Sequence, residues 1–313
     1  MRITQNMISN NVMNSLRNNY AQMDKYMEQL STGKKINRPS DDPVVAMRGV
    51  NYRSELSKVN QFERNMSELR NWMDSSDEAL NEAGQAMHRV RELVTQASND
   101  TYEENQRDNM ASEIREIRNH IVELANTKVN NKHIFNGTNT LEKRFETSED
   151  GELQVQNADG NWVAADDPTA PELNNEDVLI EVSDGVKLAA NSNADNAFPV
   201  ELIQELDQIV ASLIEDDPPN NGQDFSPFID SLDGFQQEMV NERADLGARM
   251  NRAELIETRL SQQEVTTSKL MSDNEDAHME EVIMNLRMQE NVHRAALGAG
   301  ARIIQPSLMD FLR

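Results

Sequence analysis

The chain has 313 residues, of which 27% are charged and only 4% aromatic, and it carries a net charge of −25. Such an acidic chain argues against nucleic acid as a partner, because phosphate binding needs a basic surface. The absence of Cys excludes disulfides, thiol catalysis and Cys-based zinc sites, and it leaves the redox compartment open. No apolar run reaches the length of about 18 residues that predicts membrane insertion, and nothing near Met1 resembles a signal peptide. We therefore expect any export to proceed without a cleaved leader.

The N-terminal segment predicts a helix over residues 7–30 that ends at Gly33, where glycine takes the left-handed conformation common after helices. A joint follows it. Ser40 or Asp41 has a suitable side chain to cap a second helix, whose first turn contains Pro43. We expect this inter-helix joint to be formed by Arg38, Asp41, Asp42 and Pro43.

The second predicted helix is long. Apolar residues alternate at steps of three and four from Val59 to Ala97, with Ser76 as the one polar residue in the stripe, so this helix needs a partner. Thr101 and Glu104 form a capping-box pair at the start of a third helix, which carries its own stripe over residues 110–124. We expect the second and third helices to pack antiparallel.

The centre of the chain predicts short strands instead. Asp-Gly pairs at 150–151, 159–160 and 184–185 mark turns between the alternating residues Leu153 and Val155 and the apolar run 178–182. Residues 141–227 hold 21 of the 55 acidic residues but only three of the 30 basic ones. We interpret this charge as a solvated, outward-facing insertion. A calcium site is the alternative, although no loop has EF-hand spacing.

Helical patterns return in the last third of the chain. One helix is predicted over residues 199–214, and a longer one starts at Ser226-Pro227 and continues through Leu260. Polar residues at 272–275 interrupt the pattern before the last helix, as the first joint does near the N-terminus. Four helices then form one bundle.

This order predicts a mainly α fold, in which a long antiparallel helical bundle is formed by the N- and C-terminal segments and carries a small, mostly β central insertion. We divide the chain into an N-terminal helix (1–42), two halves of the bundle (43–138 and 198–271), the insertion (139–197) and a C-terminal helix (272–313).

Apolar stripes on the two terminal helices have no partner within the predicted bundle. A lone helix pair buries too little surface, at about 25 cal/mol per Å², to offset an ordering cost of about 1–2 kcal/mol per residue. We therefore expect neighbouring subunits to cover these stripes. The predicted self-assembly surface comprises Met13, Leu16, Tyr20, Met23, Met27, Leu30, Ile283, Leu286, Leu297, Ile304, Leu308, Phe311 and Leu312.

Catalytic patterns are not found. The five His are scattered, and His278 with Glu281 lacks the second His of a zinc-protease motif. Phosphate loops, dinucleotide fingerprints and nucleophile elbows are also missing. We predict a protein without enzymatic activity, cofactor or metal.

Five stretches resemble the flagellin superfamily. They are residues 30–43 (LSTGKKINRPSDDP), 89–99 (RVRELVTQASN), 135–140 (FNGTNT), 243–252 (RADLGARMNR) and 305–313 (QPSLMDFLR). The first two indicate the superfamily, whereas the third and the last are most similar to its hook-associated proteins of the hook–filament junction.

The resemblance implies a structural subunit of the extracellular bacterial flagellum, with its terminal helices in an inner tube. It also implies type III export as an unfolded chain. The implied partners are further copies in a ring, a second hook-associated junction protein, flagellin, and a cytoplasmic export chaperone for the C-terminal helix, but neither nucleic acid nor a membrane.

Two other interpretations stay open. A flagellin that forms the filament has the same architecture and should polymerise alone. A coiled-coil adaptor unrelated to flagella should keep stable terminal helices as a monomer.

Overall fold

The computed structural model describes residues 2–98, 104–148, 153–156, 162–165, 174–214 and 225–304. The chain divides into two compact units. The terminal unit comprises Met1–Asn60 and Gln262–Arg313, and the central unit comprises Gln61–Ser261. The predicted fold class, a helical bundle with a small β insertion, is confirmed. The division into five segments stays a prediction.

Seven helices and seven short strands follow one another in the described residues. The helices are α1 (Arg2–Thr32), α2 (Pro43–Ala97), α3 (Glu104–Ala125), α4 (Ala194–Ala197), α5 (Val200–Ile214), α6 (Ser226–Glu275) and α7 (Met279–Ile304). The strands are β1 (Lys128–Val129), β2 (Lys132–His133), β3 (Glu146–Thr147), β4 (Leu153–Gln156), β5 (Trp162–Ala164), β6 (Leu179–Ser183) and β7 (Val186–Ala189). Within these residues, none of the helices combines the length and apolar character that crossing a membrane requires.

Helix α1 ends where the sequence predicts. Gly33 has a φ of 69°, and its N–H donates to the carbonyl oxygen of Gln29 at 2.9 Å. The predicted cap of α2 is wrong, however. Asp42, rather than Ser40 or Asp41, accepts from the N–H groups of Val44 and Val45 at 3.0 and 3.1 Å. Because Pro43 with its fixed φ is the first helical residue, the residue directly before it becomes the cap.

Asp41 instead forms hydrogen bonds within the joint. Its Oδ2 accepts from the N–H groups of Arg38 and Asn37 at 3.0 and 3.3 Å, and its own N–H donates to the carbonyl oxygen of Arg38. The joint is therefore a compact turn closed by a carboxylate.

The central unit is a bundle built from parts of α2 and α6 together with α3 and α5. Ion pairs run between α2 and α3 (Arg89–Glu113) and between α2 and α6 (Arg91–Asp233 and Arg243–Asp77). Residue numbers rise along one helix of each pair as they fall along the other, so α3 and α6 both lie antiparallel to α2. The predicted stripe on α2 is buried, and the hydroxyl of Ser76 in that stripe donates to the carbonyl oxygen of Trp72 at 3.0 Å.

The central strands form three small antiparallel sheets, in the orders β1-β2, β3-β4-β5 and β6-β7. Gly185, with a φ of 72°, makes the β6–β7 turn that the Asp-Gly pair predicts. The β1–β2 hairpin was not predicted. Its turn uses Asn130 and Asn131 at φ values of 51° and 64°, a conformation that Asn tolerates well. The other two Asp-Gly turns and Thr101 of the capping box lie outside the described residues.

Candidate assembly surface

Exposed apolar residues are concentrated in the terminal unit. Among the described residues, fifteen of the twenty large hydrophobic residues that are exposed lie in this unit. Of the buried hydrophobic residues in the described ranges, only Val59 and Val282 belong to the terminal unit, and the others belong to the central unit. Large exposed apolar patches on soluble proteins mark interaction sites.

The predicted assembly residues on helix α1 fall into two stripes that differ in burial. Leu16, Met23 and Leu30 are half-buried. They lie on the same face of α1 as Val12 and Asn19, which face α7. The second stripe remains exposed. It consists of Met13, Tyr20 and Met27, which repeat every seven residues and are 50%, 56% and 56% exposed.

Antiparallel packing of α1 on α7 explains this division. The Tyr20 and His293 rings meet edge to face with centroids 4.3 Å apart, and Gln289 Nε2 donates to Asn19 Oδ1 at 3.0 Å. Near the other end, a Cβ added at Gly300 would lie 3.1 Å from a methyl group of Val12. One stripe of α1 therefore packs within the chain, and the other remains exposed among the described residues.

Helix α7 shows the same division. The predicted residues Ile283 and Leu297 are exposed, and Leu286 is half-buried. The side chain of Ile304 and the residues Leu308, Phe311 and Leu312 lie outside the described residues. Sequence reasoning missed an exposed stripe of Met284, Met288 and Val292, although its spacing of four residues was visible.

The start of α2 adds a third exposed apolar face that the sequence analysis assigned to the bundle. Val44, Met47 and Val50 are 58%, 67% and 63% exposed, and they belong to the terminal unit. Their spacing of three residues was a signal that could have found them.

Glu275 ties the two joints of the terminal unit together. Its side chain is 4% exposed, and its Oε2 accepts from Lys34 Nζ at 2.7 Å and from Arg53 Nη2 at 2.5 Å. Backbone hydrogen bonds join the same two segments. The N–H of Lys35 donates to the carbonyl oxygen of Glu275 at 2.6 Å, and the N–H of Ala277 donates to the carbonyl oxygen of Gly33 at 2.9 Å. The loop after α1 and the end of α6 are therefore held together, and we call the cluster of Lys34, Arg53 and Glu275 the lock.

The lock also accounts for Gly49 and for the ionisation of Glu275. A Cβ at position 49 would clash with Oε1 of this carboxylate. Burial by itself raises the pKa of Glu275, but the hydrogen bonds from Lys34 and Arg53 outweigh burial, and the pKa lies below its ordinary value of 4.5. The carboxylate is thus ionised at neutral pH.

The described residues contain no group of three or more His, Asp or Glu placed to hold a metal ion. The terminal unit instead exposes an apolar surface of Met, Val, Ile, Leu and Tyr side chains. Such side chains, Met above all, adapt to irregular partners.

Comparison with known proteins covers nearly the whole chain. The family of the bacterial flagellin N-terminal helical region matches residues 3–140. The flagellar hook-associated protein 3 of Escherichia coli K12 is 25% identical over 313 residues, which is 96% of both chains. The chain is therefore similar to proteins of the flagellin superfamily. A flagellar hook-associated protein from Vibrio parahaemolyticus has the same fold, with a TM-score of 0.61, 19% identity, and coverage of 75% of this chain and 100% of its own.

Members of this superfamily are structural components of the bacterial flagellum. The flagellin of Clostridium tyrobutyricum is 30% identical over 139 residues, but these cover only 44% of this chain and 37% of its own. The match to hook-associated protein 3 instead covers 96% of each chain. The comparisons therefore favour a hook-associated protein over a filament flagellin.

Proposed function

We propose that this chain is a structural subunit of the bacterial flagellum, which forms a ring at the hook–filament junction and adapts the hook to the filament. The observation that carries this proposal is the terminal unit, whose helices expose apolar stripes that no other described part of the chain covers. The similarity over 96% of the chain to a hook-associated protein supports this position in the flagellum.

The proposed mechanism is mechanical. Helices α1 and α7 of each copy contribute to an inner tube, in which Met13, Tyr20 and Met27 contact neighbouring copies. Joining a flexible structure to a stiff one needs many weak, adjustable contacts, and Met and Leu side chains on helices provide them. The acidic insertion faces outward, where its charge keeps the assembly soluble.

The partners follow from this position. Besides its own copies, the chain contacts a second hook-associated junction protein on the hook side and flagellin on the filament side. Before assembly, the chain leaves the cell unfolded through the flagellar type III apparatus. A cytoplasmic chaperone covers the apolar face of α7 until then, because an exposed apolar helix promotes aggregation.

The test uses the intact chain and isolated hooks that carry the second junction protein. In Met13→Asp with Met27→Asp, two charges enter the exposed stripe of α1, and electron microscopy should show no addition to hook ends. Leu255→Asp is the matched control, because Leu255 is 73% exposed but lies in the central unit. It should add like the unmodified chain.

Three outcomes contradict the proposal. Long filaments formed by the chain alone would make it a flagellin. Binding of the unmodified chain to neither hooks nor itself would favour an unrelated adaptor. Normal addition of the Met13→Asp, Met27→Asp variant would remove the α1 stripe from the assembly surface.

A further inference from the structure

The methionines of the two units differ in exposure. Among the described residues, the exposed ones all belong to the terminal unit and are 38–67% exposed: Met7, Met13, Met27, Met47, Met279, Met284 and Met288. Those of the central unit are at most 8% exposed, apart from half-buried Met250. We call the buried ones the core methionines: Met66, Met73, Met87, Met110 and Met239.

Exposure decides how a methionine reacts with oxidants. Peroxides oxidise the Sδ atom of an accessible Met to a sulfoxide, and packing protects a buried one. A lone pair of Sδ attacks one oxygen of hydrogen peroxide, an S–O bond forms, the O–O bond breaks, and the other oxygen leaves with both protons as water. Sulfur loses the two electrons that peroxide gains. Because the chain has no Cys, no thiol of its own competes for the oxidant.

Four exposed methionines lie in the stripes that the proposed assembly uses. Met13 and Met27 stand on either side of Tyr20 in the exposed stripe of α1. Met284 and Met288 are exposed one helical turn apart on α7. We call these four residues the stripe methionines. A peroxide therefore reaches the proposed assembly surface before it reaches the core of the central unit.

Oxidation changes what such a stripe can bind. It replaces an apolar thioether with a polar sulfoxide, whose oxygen accepts hydrogen bonds. If that oxygen is buried against the apolar side chains of a neighbouring copy, it has no donor, and the contact is weakened. The contact between copies therefore requires the reduced state of the stripe methionines.

We propose that the stripe methionines are oxidation sites whose modification prevents assembly. A peroxide converts them to sulfoxides while the chain is unassembled, and the oxidised copies do not join the ring. The core methionines stay reduced, so the central unit keeps its fold. The inference rests on the proposed function and adds a means of regulating it.

The first measurement uses the intact chain alone. Dilute hydrogen peroxide is applied for increasing times, and peptide mass spectrometry follows the addition of one oxygen atom at each Met. The stripe methionines should oxidise at least about tenfold faster than the core methionines, which are an internal control in the same molecule. Equal rates in the two sets would overturn the proposal.

The second measurement uses isolated hooks that carry the second junction protein. The matched variant carries Met13→Leu, Met27→Leu, Met284→Leu and Met288→Leu, because Leu has a similar volume but no sulfur. Each chain is compared with its own untreated sample. Peroxide should lower the addition of the unmodified chain to hook ends by about tenfold or more, and that of the variant by less than about twofold.

Two results on hooks would overturn the proposal. Normal addition of the oxidised chain would show that the contact tolerates sulfoxides. An equal loss in the Leu variant would assign the effect to other residues.

Reduction separates oxidation of the stripes from damage to the fold. Methionine sulfoxide reductases A and B use a dithiol, which becomes a disulfide as the sulfoxide returns to the thioether and water is released. Addition to hooks should then recover to within about twofold of the untreated chain. The circular dichroism of the oxidised monomer should be unchanged. Loss of helix, or no recovery, would overturn the proposal.

A dye that fluoresces on exposed apolar surfaces gives a readout that does not need hooks. Oxidation should lower its signal on the unmodified chain by about half or more, and by much less on the Leu variant. No change on the unmodified chain would overturn the proposal. If this difference is found but the untreated chain does not add to hooks, the proposed function is wrong and the assignment of the oxidation sites is supported.

Discussion

The two units of this chain use similar amphipathic helices with opposite results. In the central unit four helices meet, and their apolar stripes converge on one core that contains Met66, Leu69, Met73 and Leu80. In the terminal unit the helix pair α1–α7 covers only one side of each member, so the other apolar faces remain exposed. The difference shows that the packing of the helices, more than the pattern on each helix, decides whether an apolar stripe is buried within the unit or left exposed.

The largest expected effect is on the central core. Leu80 is 1% exposed, and Leu80→Ala should lower the free energy of unfolding by about 2–5 kcal/mol, because it removes buried methyl groups and leaves a cavity. Leu255→Ala on the solvent side should change it by less than about 0.5 kcal/mol. Urea titrations followed by circular dichroism measure both. Equal losses would show that the central unit has no dominant core.

The lock at Glu275 should respond to pH in the terminal unit alone. Because its pKa is lowered from 4.5, the ion pairs stabilise the lock fully above that pH and are lost as pH falls through the lower, folded-state value. Glu275→Gln should cost about 1–2 kcal/mol at neutral pH and remove this dependence, since Lys34 and Arg53 lose their partner.

Hydrogen exchange at the N–H groups of Lys35 and Ala277, which bond across the lock, measures this effect locally. Exchange should accelerate below pH 4.5, after correction for the intrinsic rate, in the unmodified chain and not in Glu275→Gln. An acid response that persists in Glu275→Gln would assign the titration to another group.

A smaller effect is expected at the first joint. Asp42→Ala removes the cap of α2 and should cost about 1 kcal/mol, because the N–H groups of Val44 and Val45 lose their acceptor. Ser40→Ala is the control and should have no measurable effect, since Ser40 makes no cap in the structure. Hydrogen exchange over the first turn of α2 distinguishes the two, and equal effects would contradict the assigned cap.

The smallest effects should have opposite signs in the two units. Gly84→Ala, in the central part of α2, should stabilise the chain by about 0.5–1 kcal/mol, because nothing lies near the added Cβ and Ala favours helix. Gly49→Ala, in the same helix, should destabilise the terminal unit, because its Cβ displaces the Glu275 carboxylate. A stabilising Gly49→Ala would show that the lock tolerates movement of this side chain.

Much of the fold could be predicted from local signals. The spacing of apolar residues on α2, the glycine after α1 and the Ser-Pro start of α6 were sufficient because helices are determined by neighbours within one or two turns. The Asn130–Asn131 hairpin was missed because its strands are two residues long and carry no alternating pattern. The cap at Asp42 was missed because two adjacent acidic residues offer the same chemistry.

The candidate site was harder to predict. The sequence placed Leu16 and Met13 in one stripe, but burial separates them, because only the register of α1 on α7 selects which side is covered. The role of Glu275 could not be predicted from the sequence pattern, since its partner Lys34 is 241 positions away in the chain.

The sequence by itself determined the helices, the joints, the acidic centre and the resemblance to the flagellin superfamily, because all of these depend on local spacing and composition. Only the tertiary structure decided which apolar faces are covered and which stay exposed. That choice depends on contacts between residues far apart in the chain, such as Tyr20 with His293 and Lys34 with Glu275, and periodicity along one helix contains no information about them.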